Sequence, residues 1–337
     1  MPRTFPYQLS DRLFVLGDNL FLTYLLRGET CALIDLAASG TVPLIRKQLR
    51  HLAIDDGAIE NLVIQHAHWD HVGALPYLRE AFPRATVLGS EKAREVLGKT
   101  KIVDQFRQND ERWCSRLRDT GVFGELPDFL SYPSIAVDRI IRDNETLSLG
   151  GIPVEVLATP GHSACSVSLH LPTEDTVLAS DAVGFYLPES DDFLPMFFQS
   201  VGLTLASISR LEALGVATLG YGHSLDLLVR GKAAVSHALR RLRERTREFA
   251  RTIQEMADAG APEGDLLAAV HRLSYRDFLA ELYLPDYLQA VSPYLLKAIL
   301  SADRAAATTG NAQRGFASDG RDTTSTRTLF SPSRGMR

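Results

Sequence analysis

The sequence predicts an α/β fold followed by a helical segment. Strand and helix patterns alternate from residue 12 to residue 223, as is typical of sheets covered by helices. Beyond residue 231 the apolar residues recur at helical spacings, which favours helices alone. The composition, 45% hydrophobic and 23% charged over 337 residues, fits a globular protein with a large buried core.

The first elements are strands. Residues 12–38 contain three segments rich in apolar and β-branched residues, separated by turn residues, and each segment predicts a strand. A helix is predicted at 41–52, because its apolar residues fall on one face. The short apolar run NLVIQ at 61–65 predicts a buried strand.

The middle of the chain continues the alternation. A helix, a strand and a second helix are predicted at 73–82, 85–90 and 91–97. Residues 101–142 are mixed in character and predict an insertion or flap that contains a helix. Strand patterns then return at TLSLGG, IPVEVLATPG, CSVSLHLP, DTVLASD and VATLGYGH, with one more helix at 204–214.

These patterns divide the chain into an α/β domain, a helical cap and a tail. The domain covers residues 1–230 and the cap 231–300. Residues 301–337 lack apolar periodicity and are rich in Ala, Thr, Gly, Ser and Arg, so a disordered tail is predicted. The arginine run at 240–251 is interpreted as a solvated helix face.

Charge and composition restrict the partners and the compartment. A net charge of -5 argues against nucleic acid as a partner. The sequence shows neither a secretory leader nor an apolar run of about 20 residues, so we expect a cytoplasmic protein without membrane contact. The three cysteines are too few and too scattered to suggest a disulfide framework. The sequence leaves a homodimer open as a possibility.

The most informative segment is QHAHWDHVG at 65–73, directly after a predicted strand. His66 and His68 lie two residues apart and project to one side of an extended chain, while Asp70 and His71 follow in the turn. Burying four ionisable groups together is costly without a metal ion. Imidazole and carboxylate ligands suit zinc, iron or manganese better than calcium.

Three further segments place a candidate ligand at the end of a predicted strand. TPGHS offers His162, LASDA offers Asp181 and GYGHS offers His223, each beside glycine or another small residue. Asp35 in ALIDLA is a candidate hydrogen-bond partner for a ligating histidine. The pattern therefore predicts a metal centre built from dispersed strand ends.

With these elements in order, the chain resembles the metallo-β-lactamase-fold hydrolases over about residues 8–230. The resemblance implies an αββα sandwich, which makes residues 1–230 the catalytic domain, and a site at one edge between two sheets. It also implies two divalent cations, with zinc expected first and iron or manganese as alternatives. One cation would take His66, His68 and His162, the other Asp70, His71 and His223, and Asp181 would bridge them.

Within this superfamily, the full ligand set is similar to that of glyoxalase II, lactonases, phosphodiesterases and thioesterases. HWDHVGALPYL, VLGSEKA and the helical C-terminus resemble the quinolone-signal response proteins, which are 2-aminobenzoylacetyl-CoA thioesterases. The best-known zinc β-lactamases carry Cys where this chain has Asp181, so antibiotic hydrolysis is not expected.

The resemblance implies hydrolysis of an acyl thioester, linked to coenzyme A or to a carrier protein, by attack of metal-bound hydroxide. Two bridged cations lower the pKa of a shared water from 15.7 to about 7. Asp70 is the candidate catalytic residue, because a ligand close to that water can orient it or relay its proton. The aromatic segment after Asp181 offers Tyr186, Phe193 and Phe197 as candidate lining of an acyl pocket.

Three alternatives remain. The same ligands serve a phosphodiesterase, nuclease or lactonase. A regulatory or interaction protein could keep the metal site for structure or ligand sensing, with the arginine-rich helix as its partner surface. The third alternative is an enzyme that oxidises sulfur or a persulfide at a single iron ion.

Overall fold

The computed structural model describes most of the chain. The described residues are 5–18, 20–119, 121, 123–187, 192–223, 228–274 and 285–309. They form two large β-sheets, a two-stranded hairpin and nine α-helices.

The first sheet has seven strands that lie side by side in chain order. The first four strands pair antiparallel, and the remaining pairs are parallel. The strands are β1 (Tyr7–Gln8), β2 (Leu13–Gly17), β3 (Leu22–Arg27), β4 (Cys31–Ile34), β5 (Ile59–Val63), β6 (Thr86–Gly89) and β7 (Arg139–Ile140).

The second sheet has six strands in the order β15-β14-β11-β10-β9-β8. Its pairs are antiparallel except for β11 and β14. Its strands are β8 (Thr146–Leu149), β9 (Ile152–Ala158), β10 (Val167–Leu171), β11 (Thr176–Leu178), β14 (Thr218–Gly220) and β15 (Leu228–Arg230). A separate two-stranded hairpin follows β11 in the chain and precedes β14. It consists of β12 (Phe185–Leu187) and β13 (Asp192–Leu194).

The helices occur between the strands and at the C-terminal end of the described chain. In order they are α1 (Val42–His51), α2 (Trp69–Val72), α3 (Leu75–Ala81), α4 (Glu91–Leu97), α5 (Thr100–Asp119), α6 (Val201–Glu212), α7 (Lys232–Asp258), α8 (Glu263–Ser274) and α9 (Pro285–Thr309).

Three apolar clusters stack these elements into four layers. Leu33 of the first sheet packs with Ile45 of α1 and Leu78 of α3. Between the sheets, strands of both contribute one shared cluster that includes Tyr24, Ile34, Val154 and Leu169. Behind the second sheet, Val177 and Leu219 pack with Ile208 of α6 and Leu239 of α7. The predicted αββα sandwich is confirmed.

A fourth cluster joins the C-terminal helices to the sandwich. Phe249 of α7, Val270 of α8 and Leu295 of α9 surround the fully buried side chain of Phe197. Among the described residues, no helix is both long enough and apolar enough to cross a membrane.

Two boundaries differ from the sequence prediction. Residues 139–140, inside the predicted insertion, form β7 and pair with β6 of the first sheet; a strand of two residues carries too little pattern to be recognised. Helix α9 runs to Thr309, past the predicted tail boundary at residue 300, and alanines at 305–307 favour its extension. The rest of the predicted tail, 310–337, lies outside the described residues.

We expect Gln48→Leu to destabilise the first sheet. The buried Gln48 side chain donates to the Gly17 carbonyl and accepts from the Gly17 N–H, both at 2.7 Å. Leucine leaves both backbone groups unpaired, so the free energy of unfolding should fall by about 2–4 kcal/mol. Urea denaturation measures the change, and the exposed neighbour Lys47 provides the control Lys47→Leu. Equal stability of the two variants would contradict the prediction.

Candidate metal centre

The candidate ligands follow four strands at one edge of the sandwich. His66, His68, Asp70 and His71 come after β5, and the last two lie in α2, which starts at Trp69. The other three follow strands of the second sheet, and they are His162 after β9, Asp181 after β11 and His223 after β14. Both sheets therefore contribute to the centre.

The structure brings all seven side chains together. They form overlapping groups whose ligand atoms lie within 4.8 Å of one another, namely His66, His68 and His162; His66, His71 and Asp181; and Asp70, His71 and His223. His68 is half-buried and the other six side chains are buried. These groups are able to bind metal ions.

Asp181 stands between the two outer groups. Its Oδ2 atom lies 3.6 Å from His162 Nε2 in one group. The same atom lies 3.4 Å from His71 Nε2 and 3.7 Å from His223 Nε2 in the other. One carboxylate oxygen thus faces ligands of both groups.

Hydrogen bonds from the surrounding chain fix the imidazole orientations. His162 Nδ1 donates to the Met196 carbonyl at 2.9 Å, and His223 Nδ1 donates to the Leu20 carbonyl at 2.8 Å. His71 Nδ1 lies 2.6 Å from Asp35 Oδ1, so the predicted contact of Asp35 with a candidate ligand is present. A ring that donates from Nδ1 carries a lone pair on Nε2, and all three Nε2 atoms point into the centre.

This arrangement fits bound cations. His71 Nε2 and His223 Nε2 lie only 2.9 Å apart, although each carries a lone pair when its ring is neutral. His66 Nε2 and Asp181 Oδ1 are buried without a hydrogen-bond partner. Buried polar atoms without partners are costly, and a cation between them satisfies both the lone pairs and the carboxylate.

Burial and neighbouring charges shift the pKa values of His68 and Asp181 toward the forms that bind metal, and that of His71 the other way. Burial, followed by the effect of His162, lowers the pKa of His68 to about 3. Burial alone would raise the pKa of Asp181, but His71 and His223 hold it well below its ordinary value. For His71, burial opposes protonation, yet Asp35 and other carboxylates raise its pKa, so a cation competes with a proton there.

Ser180, Leu20 and Met196 were not recognised from the sequence. Ser180 Oγ donates to Asp35 Oδ2 at 2.6 Å and lies 3.3 Å from His66 Nδ1. Its position next to Asp181 was the only available signal. The backbone carbonyls of Leu20 and Met196 cannot be recognised from the sequence as hydrogen-bond acceptors, because every residue type has a backbone carbonyl.

We expect Gly222→Ala to disrupt the centre. A Cβ atom at this position would lie 2.5 Å from Asp181 Oδ1 and 2.6 Å from His71 Cε1. These side chains are buried and must shift, which should cost about 1–3 kcal/mol and reduce the bound metal. Metal analysis and thermal unfolding test this, with Gly202→Ala as a control at a helical glycine where a Cβ would make only an ordinary contact, 3.7 Å from Ser200 Oγ. Unchanged metal content in Gly222→Ala would contradict the expectation.

A cavity of about 420 Å³ opens beside His68. It lies between α5, α9 and the segment that follows β13. The described residues that line it include Trp69, Gln105, Phe106, Asn109, Arg112, Phe198, Val291 and Tyr294. Phe198 lies over two ligands, with ring centroids 6.1 Å from His68 and 5.2 Å from His162.

Of the three aromatic residues proposed from the sequence, Phe193 and Phe197 do not line this cavity. Phe193 packs against Tyr221 behind the second sheet, and Phe197 packs against Phe249 among the C-terminal helices. The side chain of Tyr186 lies outside the described residues. The neighbouring Phe198 lines the cavity instead.

Known proteins share this sequence pattern and this architecture. The family model of the metallo-beta-lactamase superfamily matches residues 21–223. A probable metallo-hydrolase of Bacillus subtilis is 26% identical over 161 residues, which cover 48% of this chain and 64% of the relative. A hydroxyacylglutathione hydrolase of Ruegeria pomeroyi is 27% identical over 126 residues, 37% of this chain and 34% of that enzyme. These matches span less than two thirds of the relatives' lengths.

The solved structures agree on the fold. A metallo-beta-lactamase family protein from Thermus thermophilus has a TM-score of 0.60 and 20% identity, with coverage of 89% of this chain and 96% of that one. Since the family model spans more than half of the sequence, the chain belongs to the metallo-beta-lactamase superfamily.

Proposed function

We propose that this protein is a dinuclear metal-dependent hydrolase and that it cleaves an acyl thioester. His66, His68 and His162 would hold one cation, and a second group at the same edge would hold the other. The second group is Asp70, His71 and His223, with Asp181 shared between the two. The observation that carries this proposal is the position of Asp181 Oδ2, 3.4–3.7 Å from ligand nitrogens of both groups.

The chemistry of the donor atoms supports zinc as the first choice. Five imidazoles and two carboxylates surround the centre, and such ligands suit zinc, with iron or manganese as alternatives. Two bound cations supply an activated water at neutral pH and polarise the substrate carbonyl.

The chain's own residues would orient the reactants. Asp70 Oδ2 lies 3.4 Å from His223 Nε2, which places its carboxylate within the second group, where it can accept and release a proton. Asp35 holds the His71 ring in one tautomer. Phe198 and Trp69 line the cavity beside His68 and would shield a bound substrate from water on that side.

Three points support a thioester as the substrate. The cavity is lined largely by aromatic and aliphatic side chains, which suits an acyl group. A thiol has a pKa of about 8.5 and leaves without help from a strong acid. The name of one relative, hydroxyacylglutathione hydrolase, is consistent with acyl cleavage. We therefore propose a small-molecule substrate linked to coenzyme A or a carrier protein, as in the quinolone-signal response branch.

A substrate panel tests the proposal. Protein purified without chelators should cleave acyl thioesters, lose activity with a chelator and regain it with added zinc. His162→Ala should abolish turnover, whereas His51→Ala, at an exposed histidine of α1, should not. Turnover of bis-p-nitrophenyl phosphate or of a lactone without thioester cleavage would contradict the thioesterase proposal. A protein that binds no metal would contradict the hydrolase proposal as well.

A further inference from the structure

The turn between β2 and β3 supplies the Leu20 carbonyl to which His223 Nδ1 donates at 2.8 Å. Resting on the proposed function, we infer that Asp18 of this turn is a positioning residue for the second cation, because it fixes that carbonyl in place. Asp18 is not one of the seven candidate ligands, and it acts on His223 through a backbone peptide group.

Asp18 organises the turn with one carboxylate oxygen. Its Oδ1 atom accepts from the Leu20 N–H at 2.7 Å and from the Phe21 N–H at 2.9 Å. The Asp18 N–H donates in turn to the Phe21 carbonyl at 3.3 Å. Asp and Asn side chains hold turns in this way by bonding to the backbone that follows them. These three hydrogen bonds fix the backbone at Leu20 and Phe21 relative to Asp18.

The Phe21 N–H and the Leu20 carbonyl belong to the same peptide group. A peptide group is planar, and in the trans form its N–H and its C=O point to opposite sides. Asp18 Oδ1 therefore lies at one end of this group and the His223 ring at the other. Because the plane turns as a rigid unit, the hydrogen bond at its N–H end determines where its carbonyl points. A carboxylate at the N–H also polarises the carbonyl and makes it a stronger acceptor.

The carbonyl decides which nitrogen of His223 is available to a cation. A ring that donates from Nδ1 carries its lone pair on Nε2. His223 Nε2 lies 3.4 Å from Asp70 Oδ2 and 2.9 Å from His71 Nε2, within the second group of candidate ligands. Asp18 thus serves His223 through a peptide group, whereas Asp35 serves His71 by direct contact.

Two further contacts join the turn to the chain segment that carries His223. The Leu22 N–H donates to the Gly222 carbonyl at 3.1 Å. The Phe21 ring lies edge-on to the His223 imidazole, with ring centroids 5.4 Å apart. The turn and the start of β3 therefore contact this segment at neighbouring points, so a displacement of the turn displaces the imidazole.

Zinc binding by two variants of Asp18 tests this inference. Alanine removes the acceptor, so Asp18→Ala should bind one of the two zinc ions about tenfold more weakly, while the other ion binds as in the parent protein. Asparagine keeps an acceptor oxygen, so Asp18→Asn should recover most of the affinity. The control is Asp11→Ala, at an exposed aspartate before β2. Calorimetric titration with zinc measures both binding steps, and circular dichroism shows whether each variant is folded.

The pattern across the variants decides the outcome. An equal weakening of both ions in Asp18→Ala would indicate general damage and overturn the inference, as would parent-like binding of both. An Asp18→Asn protein as weak as Asp18→Ala would also overturn it, because asparagine keeps the acceptor. If Asp18→Ala does not fold, Asp18→Ser replaces it, since a hydroxyl supports such a turn more weakly and should give the same loss in smaller size.

A measurement on the metal-free protein separates this inference from the proposed function. The His223 Nδ1–H is observed by NMR with isotope-labelled histidine, and His223→Gln assigns its signal. Its exchange with water should be about tenfold faster in Asp18→Ala than in the parent protein or in Asp18→Asn, because a well-placed carbonyl protects it. A parent protein that binds no zinc would sink the proposed function, and the exchange rates would then decide the inference alone. Parent-like exchange in Asp18→Ala overturns it.

Discussion

Asp181→Asn should lower hydrolysis by about a thousandfold and remove at least one of the two proposed cations. The substitution keeps the size of the side chain but removes the charge that faces His71, His162 and His223 at 3.4–3.7 Å. If two cations share this carboxylate, as we propose, its loss should cost several kcal/mol of transition-state stabilisation, and each 1.36 kcal/mol is about a factor of ten in rate. Metal analysis and steady-state kinetics measure both effects.

Glu60→Gln is the matched control, since it neutralises an exposed carboxylate on β5. This control should retain metal and activity, and circular dichroism should show that both variants are folded. Two cations per chain in Asp181→Asn would rule out a bridging role. If cells that carry Asp181→Asn lost the hydrolytic activity but kept the phenotype of cells with the parent protein, a regulatory role would be favoured instead.

Asp35→Asn should weaken metal binding about tenfold to a hundredfold through His71. Asp35 is fully buried, and its two oxygens contact His71 Nδ1 and the Ser180 hydroxyl, each at 2.6 Å. An asparagine amide can present either an oxygen or an N–H to the ring, so the imidazole loses its fixed tautomer. Asparagine also tolerates the left-handed backbone of this residue, with a φ of 59°, so strain is not introduced.

Competition with a zinc-binding dye measures the affinity change. The exposed Asp55 provides the control Asp55→Asn, which should bind zinc like the parent protein. If Asp35→Asn bound zinc with unchanged affinity, the contact with His71 would have no role in holding the cation. Activity measured at saturating zinc should recover in part, because the ligands themselves are intact.

The sequence was sufficient to predict the ligand cluster because its information is local. His66, His68, Asp70 and His71 lie within six residues, and a strand followed by a turn brings such neighbours together in any sheet. His162, Asp181 and His223 are far apart in sequence. Each follows a strand of the second sheet, so the sheet order alone gathers them.

The cavity could not be predicted in the same way. Its walls come from α5, α9 and the segment after β13, and the sequence does not state how these pack. Phe193, Phe197 and Phe198 are equally apolar, and only the turn of the chain decides which of them faces the substrate side. Ser180 belongs to the centre only because β11 ends beside β5 across the interface of the two sheets.

Because the candidate ligands come from both sheets, cation binding and the integrity of the sandwich are linked. His66 and His71 follow β5 of one sheet, whereas His162 and His223 follow strands of the other. An ion that binds only the native arrangement stabilises it by about 2.7 kcal/mol at a free concentration one hundred times its dissociation constant. A cation bound as we propose would therefore stabilise the packing of the two sheets, and if it is zinc, the melting temperature should rise with the free zinc concentration.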